Sequence, residues 1–108
     1  MELTRTDGLP VCRARVATSF GSRFRGLMGV AELPPGEGLL LPRTSSVHTH
    51  FMRFPIDVVF LDAERRIVSV VRALRPWRFA AAKRADAVLE LAAGECERLG
   101  LAARDVLS

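Results

Sequence analysis

The chain lacks most of the residues that staple or mark a small protein: it has two cysteines, no tyrosine, one tryptophan and a single lysine among its sixteen cations. Cys12 and Cys96 stand far apart and neither belongs to a CxxC pair. That excludes a disulfide framework and a self-contained zinc motif, and predicts two buried free thiols. No apolar run exceeds a handful of residues, too few for a membrane-spanning helix. The opening "MELTRTDGLP" has neither the basic nor the apolar region of an export signal, so a cytoplasmic location is expected. Internal repeats and low-complexity tracts are also missing. With 108 residues and 49% apolar content, the chain is expected to fold as one domain over 1–108, its core within about 10–107.

Charge is plentiful but unevenly placed. Fifteen of the cations are Arg, which suits planar recognition of phosphate or carboxylate and would equally follow from an arginine-biased genome. Residues 65–85 hold seven cations (Arg65, Arg66, Arg72, Arg75, Arg78, Lys83, Arg84) and no acid, whereas residues 86–108 hold five acids against two arginines.

Periodicity predicts mostly β structure. In "PVCRARVA" Cys12, Ala14 and Val16 alternate with arginines, as in a half-buried strand. Phe20, Phe24, Leu27 and Met28 in "TSFGSRFRGLMG" share one face of a helix that Gly29 would end. The turn "LPPGEG" leads to the short strand "LLLP", and "IDVVFLD" and "RIVSVVRAL" flank "AER" as a hairpin without a turn glycine. "RPWRFAAAKRAD" reads as a long loop anchored by Trp77, "AVLEL" as a strand, "AAGECERLG" as a short helix and "LAARDVL" as a closing strand. The expected fold is α+β and mostly β: a small antiparallel barrel-like or strongly curved sheet of about six strands with one or two short helices.

The order and spacing of "RFRGLMG", "LPPGEGLLL", "HTHFMRFPIDVVFLD", "VLELAAG" and "RLGLAARDVL" resemble a bacterial family, domain of unknown function 192, over about residues 22–107. The resemblance implies a compact, mostly β, barrel-like domain that often stands alone, with no established activity, cofactor or catalytic residue; many relatives carry an export signal. Two positions depart from the family pattern. Arg65 stands where a hairpin-turn glycine is usual, and Arg104-Asp105 replaces a Gly-Asp pair. Both turn geometries are left open, because Gly enters the φ > 0 region at little cost and Arg does not.

Candidate chemistry centres on "SVHTHFMRFPID". His48 and His50 fall on one side of a strand at i and i+2, so they could hold zinc if Asp57, Glu90, Glu95 or Cys96 supplied a further ligand; satisfied strand histidines are the plainer expectation. Asp57, after Pro55, is placed to accept backbone N–H groups or Arg53, leaving His48, His50 and Met52 to line a pocket. An arginine-lined cleft from Arg23, Arg25, Arg53, Arg72, Arg75 and Arg78 would take an anion; surface arginines paired with Asp57 and Glu90 would look the same. Met28 and Glu90 complete the candidate binding set. Trp77 and Phe79 among the cations from Arg72 to Arg84 could stack on bases and so suggest nucleic acid, a partner disfavoured by the lack of any recognised motif. Cys–His nucleophilic chemistry and an Asp57/Glu90 acid–base pair have no supporting context. The reading is a binding or accessory domain, leaning away from an enzyme, that recognises an anionic small molecule or a protein partner through an Arg-lined face. A metal-dependent hydrolase or lyase using His48/His50, and nucleic-acid binding through residues 65–84, are the alternatives; no cofactor is expected unless zinc occupies the pair.

Overall fold

A computed structural model describes residues 1–17, 33–50 and 52–108. The helix expected from Phe20 to Met28, with Arg23, Arg25 and Met28, lies outside the described residues. Eight strands and one helix are formed: β1 (Glu2–Thr4), β2 (Pro10–Val16), β3 (Glu37–Pro42), β4 (Ser46–His48), β5 (Ile56–Leu61), β6 (Ile67–Leu74), β7 (Phe79–Ala81), β8 (Ala87–Ala92) and α1 (Glu95–Leu99).

Six strands make one sheet in the order β1-β2-β3-β8-β5-β6, and β4 and β7 make a second, two-stranded sheet. The fold is mostly β, as the periodicity predicts, but the large sheet is mixed and open. β2 and β3 run parallel, while the other neighbours are antiparallel. A parallel pair needs a long crossover, which strand periodicity cannot reveal.

The sheet is not closed into a barrel. Its two ends are joined instead by the C-terminal residues, where a closing strand was expected. Arg5 bridges Leu107 and Arg66 bridges Val106. Ser108 N–H donates to Thr4 O at 2.8 Å and Leu107 N–H to Arg65 O at 3.0 Å. Single bridges at each side curve the sheet without building the continuous ladder that closure requires.

Sequence pattern explains the packing. β5, "IDVVFL", is buried along its whole length, as a central strand covered on both faces must be. Val59 and Leu61 join Leu3, Cys12, Leu40, Leu89, Leu91, Cys96, Leu99 and Leu107 on one face. Ile56, Val58 and Phe60 join Leu39, Leu41, Val47, Met52 and Val88 on the other. α1 and the C-terminal residues cover the first face; the small sheet and residues 52–54 pack on the second.

Candidate binding site on the small sheet

Register separates the two buried carboxylates that sequence placed in one candidate set. Asp57 pairs with Leu91 and Val58 with Glu90. Paired residues point the same way, so Asp57 lies on the face of α1 and Glu90 on the opposite face. They cannot act as a general acid and base together, because the sheet lies between them.

Asp57 is fully buried. Between the pairs Ile56–Leu74 and Val58–Val71 the partner strand carries one extra residue, a bulge at which Ala73 has φ 50°. Asp57 Oδ1 accepts the Ala73 N–H at 2.8 Å; Oδ2 accepts Gly94 N–H at 3.1 Å and Cys96 N–H at 2.9 Å. One carboxylate thus ties the β6 bulge to the start of α1. Arg53 is exposed and is not an ion-pair partner of Asp57 among the described residues. Burial first, and the Asp57 carboxylate second, push the Cys96 thiol up to about 12. Burial pushes Cys12 up to about 11. Neither is a nucleophile at neutral pH.

Glu90 sits mid-sheet on the second face between Leu39 and Val58, 4% exposed. Among the described residues it has no hydrogen-bond or ion-pair partner. Burial pushes its carboxyl up to about 7. The arginine pairing considered for it is not formed among the described residues, whose arginines stand at the surface while Glu90 faces the core.

The third environment is the small sheet. Val47 and Ala80 face each other and turn inward to the core, so the next pair, His48 and Phe79, turns outward. Buried Met52 breaks the alternation expected of residues 47–52, but Thr49 keeps it, on the inward side with Val47. Thr49 is fully buried, and its N–H donates to Arg78 O at 2.9 Å while its carbonyl accepts Trp77 N–H at 3.0 Å. Its hydroxyl donates to Arg75 O and accepts Arg78 N–H at 2.8 Å. The segment read as a long loop therefore holds a turn clamped by one threonine, with Trp77 at φ 64°, followed by β7.

That turn presents rings to solvent. Trp77 is 54% and Phe79 67% exposed, so the expectation that Trp77 anchors the loop to the core is overturned. His48 and His50 rings lie 4.8 Å apart, and His50 meets Trp77 edge-on at 5.1 Å. With Phe79 beside His48, four rings form one strip. Exposed Arg75 and Arg78 bracket Trp77 in sequence. Of the seven cations from Arg65 to Arg84, none forms an ion pair among the described residues.

The structure thus brings together His48, His50, Arg75, Trp77 and Arg78. It does not bring in Met52, which is core, or Asp57 and Glu90. Arg72, on β6, is exposed, and its charge reaches buried Cys96 on the α1 side of the sheet. Nothing in the sequence signals Thr49, whereas Phe79 stands with Trp77 among the cations as a ring able to stack on bases. The two imidazoles do converge, but the described residues hold no group of three or more His, Cys, Asp or Glu able to surround an ion. Asp57 and Cys96 are on the other face, and Glu95 is committed to Arg98 and to Gly36 N–H. A groove of about 590 Å³ lined by Leu3, Leu9, Val11, Pro35 and Leu99 contains none of the predicted site residues.

Comparison with known proteins places this geometry in a family. A family model, DUF192, described as an uncharacterised ACR, matches residues 2–108. The chain belongs to the DUF192 family. A UPF0127 protein of Thermococcus sibiricus is 42% identical over 71 residues, 62% of this chain and 46% of that protein. One from Thermococcus kodakarensis is 33% identical over 101 residues, covering 89% and 64% of the two chains. The chain therefore spans about half to two thirds of the length of these relatives. A UPF0127 protein of Pyrococcus furiosus is 37% identical, with 86% and 83% covered. These relatives are archaeal, so the family is wider than the bacterial one that the motifs implied. Among solved structures, a protein of unknown function from Novosphingobium aromaticivorans superposes with TM-score 0.86 at 25% identity, over 99% of this chain and 81% of the other. A putative transcription regulator from Sinorhizobium meliloti gives 0.87 at 23%, covering 99% and 89%, a likeness of fold.

Within this DUF192 domain the two departures from the family pattern resolve simply. Arg65 has φ 61° and Arg104 φ 81°, so both arginines enter the conformation that glycine favours. Local bonds hold them there. Asp62 Oδ1 accepts the N–H groups of Glu64 and Arg66, each at 2.9 Å, and Arg104 N–H donates to Ile67 O at 2.9 Å.

Proposed function

We propose that this DUF192 domain is a binding module that recognises an anionic ligand on the outer face of the small sheet. The observation that carries the reading is the ring strip of Phe79, His48, His50 and Trp77, exposed except at half-buried His50 and flanked in sequence by exposed Arg75 and Arg78, with no acid placed to neutralise those arginines among the described residues. Guanidinium groups supply charge-assisted bonds to phosphate or carboxylate, and the exposed rings supply a flat apolar surface beside them. Thr49 pre-organises the turn, so little ordering is required on binding. This narrows the Arg-lined face to two arginines and their aromatic neighbours. A catalytic reading has less support, because the buried carboxylates and thiols lie away from the strip.

Trp77 is the single tryptophan, which makes its fluorescence a direct reporter. Titration with pyrophosphate and adenosine triphosphate, against neutral adenosine as control, should give a saturable change for the anions that weakens when Arg75 and Arg78 are both replaced by Ala. No response to any anion at low salt would refute the reading.

A further inference from the structure

We infer that the natural ligand of this face is a single-stranded nucleic acid, an inference that rests on the anion-binding reading above and names its ligand class. Three observations converge. First, two large rings that would ordinarily be buried, Trp77 and Phe79, are mostly exposed on an ordered element. Burying such rings is normally favourable, so a fold that holds them outward gives up that gain. Second, the rings of His48, His50 and Trp77 follow one another at 4.8 and 5.1 Å, and Phe79 is the register partner of His48 across the small sheet. The strip is long enough to meet more than one base, with Trp77 and Phe79 at its two ends. Third, the segment that carries Trp77 and Phe79, residues 65–85, has seven cations and no acid, and these cations have no ion-pair partner among the described residues.

A small inorganic anion would use the arginines and leave the rings idle. A duplex would hide its bases from them. A single strand uses both: the phosphodiester backbone meets the guanidinium groups while unpaired bases stack on the rings. Among the described residues the hydrogen-bonding groups on the strip are only imidazole and indole nitrogens, too few to read a base sequence. Sequence preference should therefore be weak. Stacking and phosphate contacts do not use the 2′-hydroxyl, so DNA and RNA strands share the required chemistry.

The test is fluorescence anisotropy of labelled dT12 and rU12 with the intact chain. Unlabelled competitors are pyrophosphate, uridine triphosphate and a twelve-base-pair duplex. Expected are saturable binding of both strands, at least tenfold weaker competition by triphosphate and duplex, and a log–log salt slope of about −1.4 to −3, as for two to four phosphates contacted. Phe79→Ala, at a solvent-facing position, should weaken binding about five- to hundredfold, as should Trp77→Ala, with Trp77→Phe retaining most of the affinity. Circular dichroism checks that each variant is folded. If triphosphate or pyrophosphate competes as well as the strand, the nucleic-acid inference fails and the anion reading stands. If no probe binds, both fail. A strand that binds equally well to the wild type and to folded Phe79→Ala/Trp77→Ala overturns the stacking role.

Discussion

Replacing Asp57 by Ala should remove a large part of the domain's stability, and the size of the loss follows from where its three bonds lie. The carboxylate accepts N–H groups from Ala73, Gly94 and Cys96 at 2.8, 3.1 and 2.9 Å. The Cys96 N–H is buried, so losing its acceptor costs close to the full penalty of an orphaned donor, about 2 kcal/mol. The Ala73 and Gly94 N–H groups belong to exposed residues, where water can replace the acceptor in part, so each loses roughly 1 kcal/mol. Relief of the buried carboxylate's own desolvation offsets some of this. The net expectation is a loss of about 3 kcal/mol, a fall in Tm of roughly 15 °C for a domain of this size. Asp57→Asn keeps one acceptor oxygen but turns an amide N–H₂ toward one of the donors, so it should lose about 2 kcal/mol. Urea unfolding followed by far-ultraviolet circular dichroism measures both. If Asp57→Ala shifted stability by less than about 1 kcal/mol with an unchanged m-value, the idea that this carboxylate couples the β6 bulge to α1 would be wrong.

Three further outcomes can be checked on the same instrument. Glu90, held near 7 in the fold against 4.5 for an ordinary carboxyl, favours the folded state most at acidic pH; that contribution falls away as pH rises from 4.5 through 7. Glu90→Gln should therefore stabilise the domain by up to about 3 kcal/mol at pH 8 and change little at pH 4, and equal effects at the two pH values would contradict the assigned burial. Gly38→Ala should cost about 1–3 kcal/mol, because its Cβ would stand 2.9 Å from Leu91 Cδ2 and 3.1 Å from both Cys12 Sγ and Glu90 O; a neutral result would mean that the β3–β8 interface yields more easily than its packing implies. Arg65→Gly and Arg104→Gly should each be neutral or stabilising by up to about 1 kcal/mol, since they relieve φ values of 61° and 81°. Clear destabilisation by either would mean that the arginine side chain supplies more than the backbone strain removes.

Local pattern carried much of the fold. The alternation in "PVCRARVA", the unbroken run "IDVVFL" and the glycine after "ECERL" each declare an element because burial on one face, burial on both faces and a left-handed helix end have short-range residue requirements. The two free buried cysteines and the family itself were legible in the same way. Other features depended on which strands meet. β1 and β7 are three residues long, below the length at which alternation is informative, and the C-terminal residues pair only through isolated bridges.

For the site, sequence determined the ingredients: an acid-free basic segment, one tryptophan within it and two histidines two residues apart. Tertiary structure decided their use. The β5–β8 register sent Asp57 and Glu90 to opposite faces, because shifting one strand by a single residue reverses every side chain on it. The bulge opposite Asp57 is a property of the pair β5 and β6, not of either strand alone. Thr49, unremarkable in the sequence, becomes the clamp of the 75–78 turn because its buried hydroxyl can both donate and accept across a separation of 26 to 29 residues. That long-range contact turns Trp77 outward, where local hydrophobicity alone argues for burial.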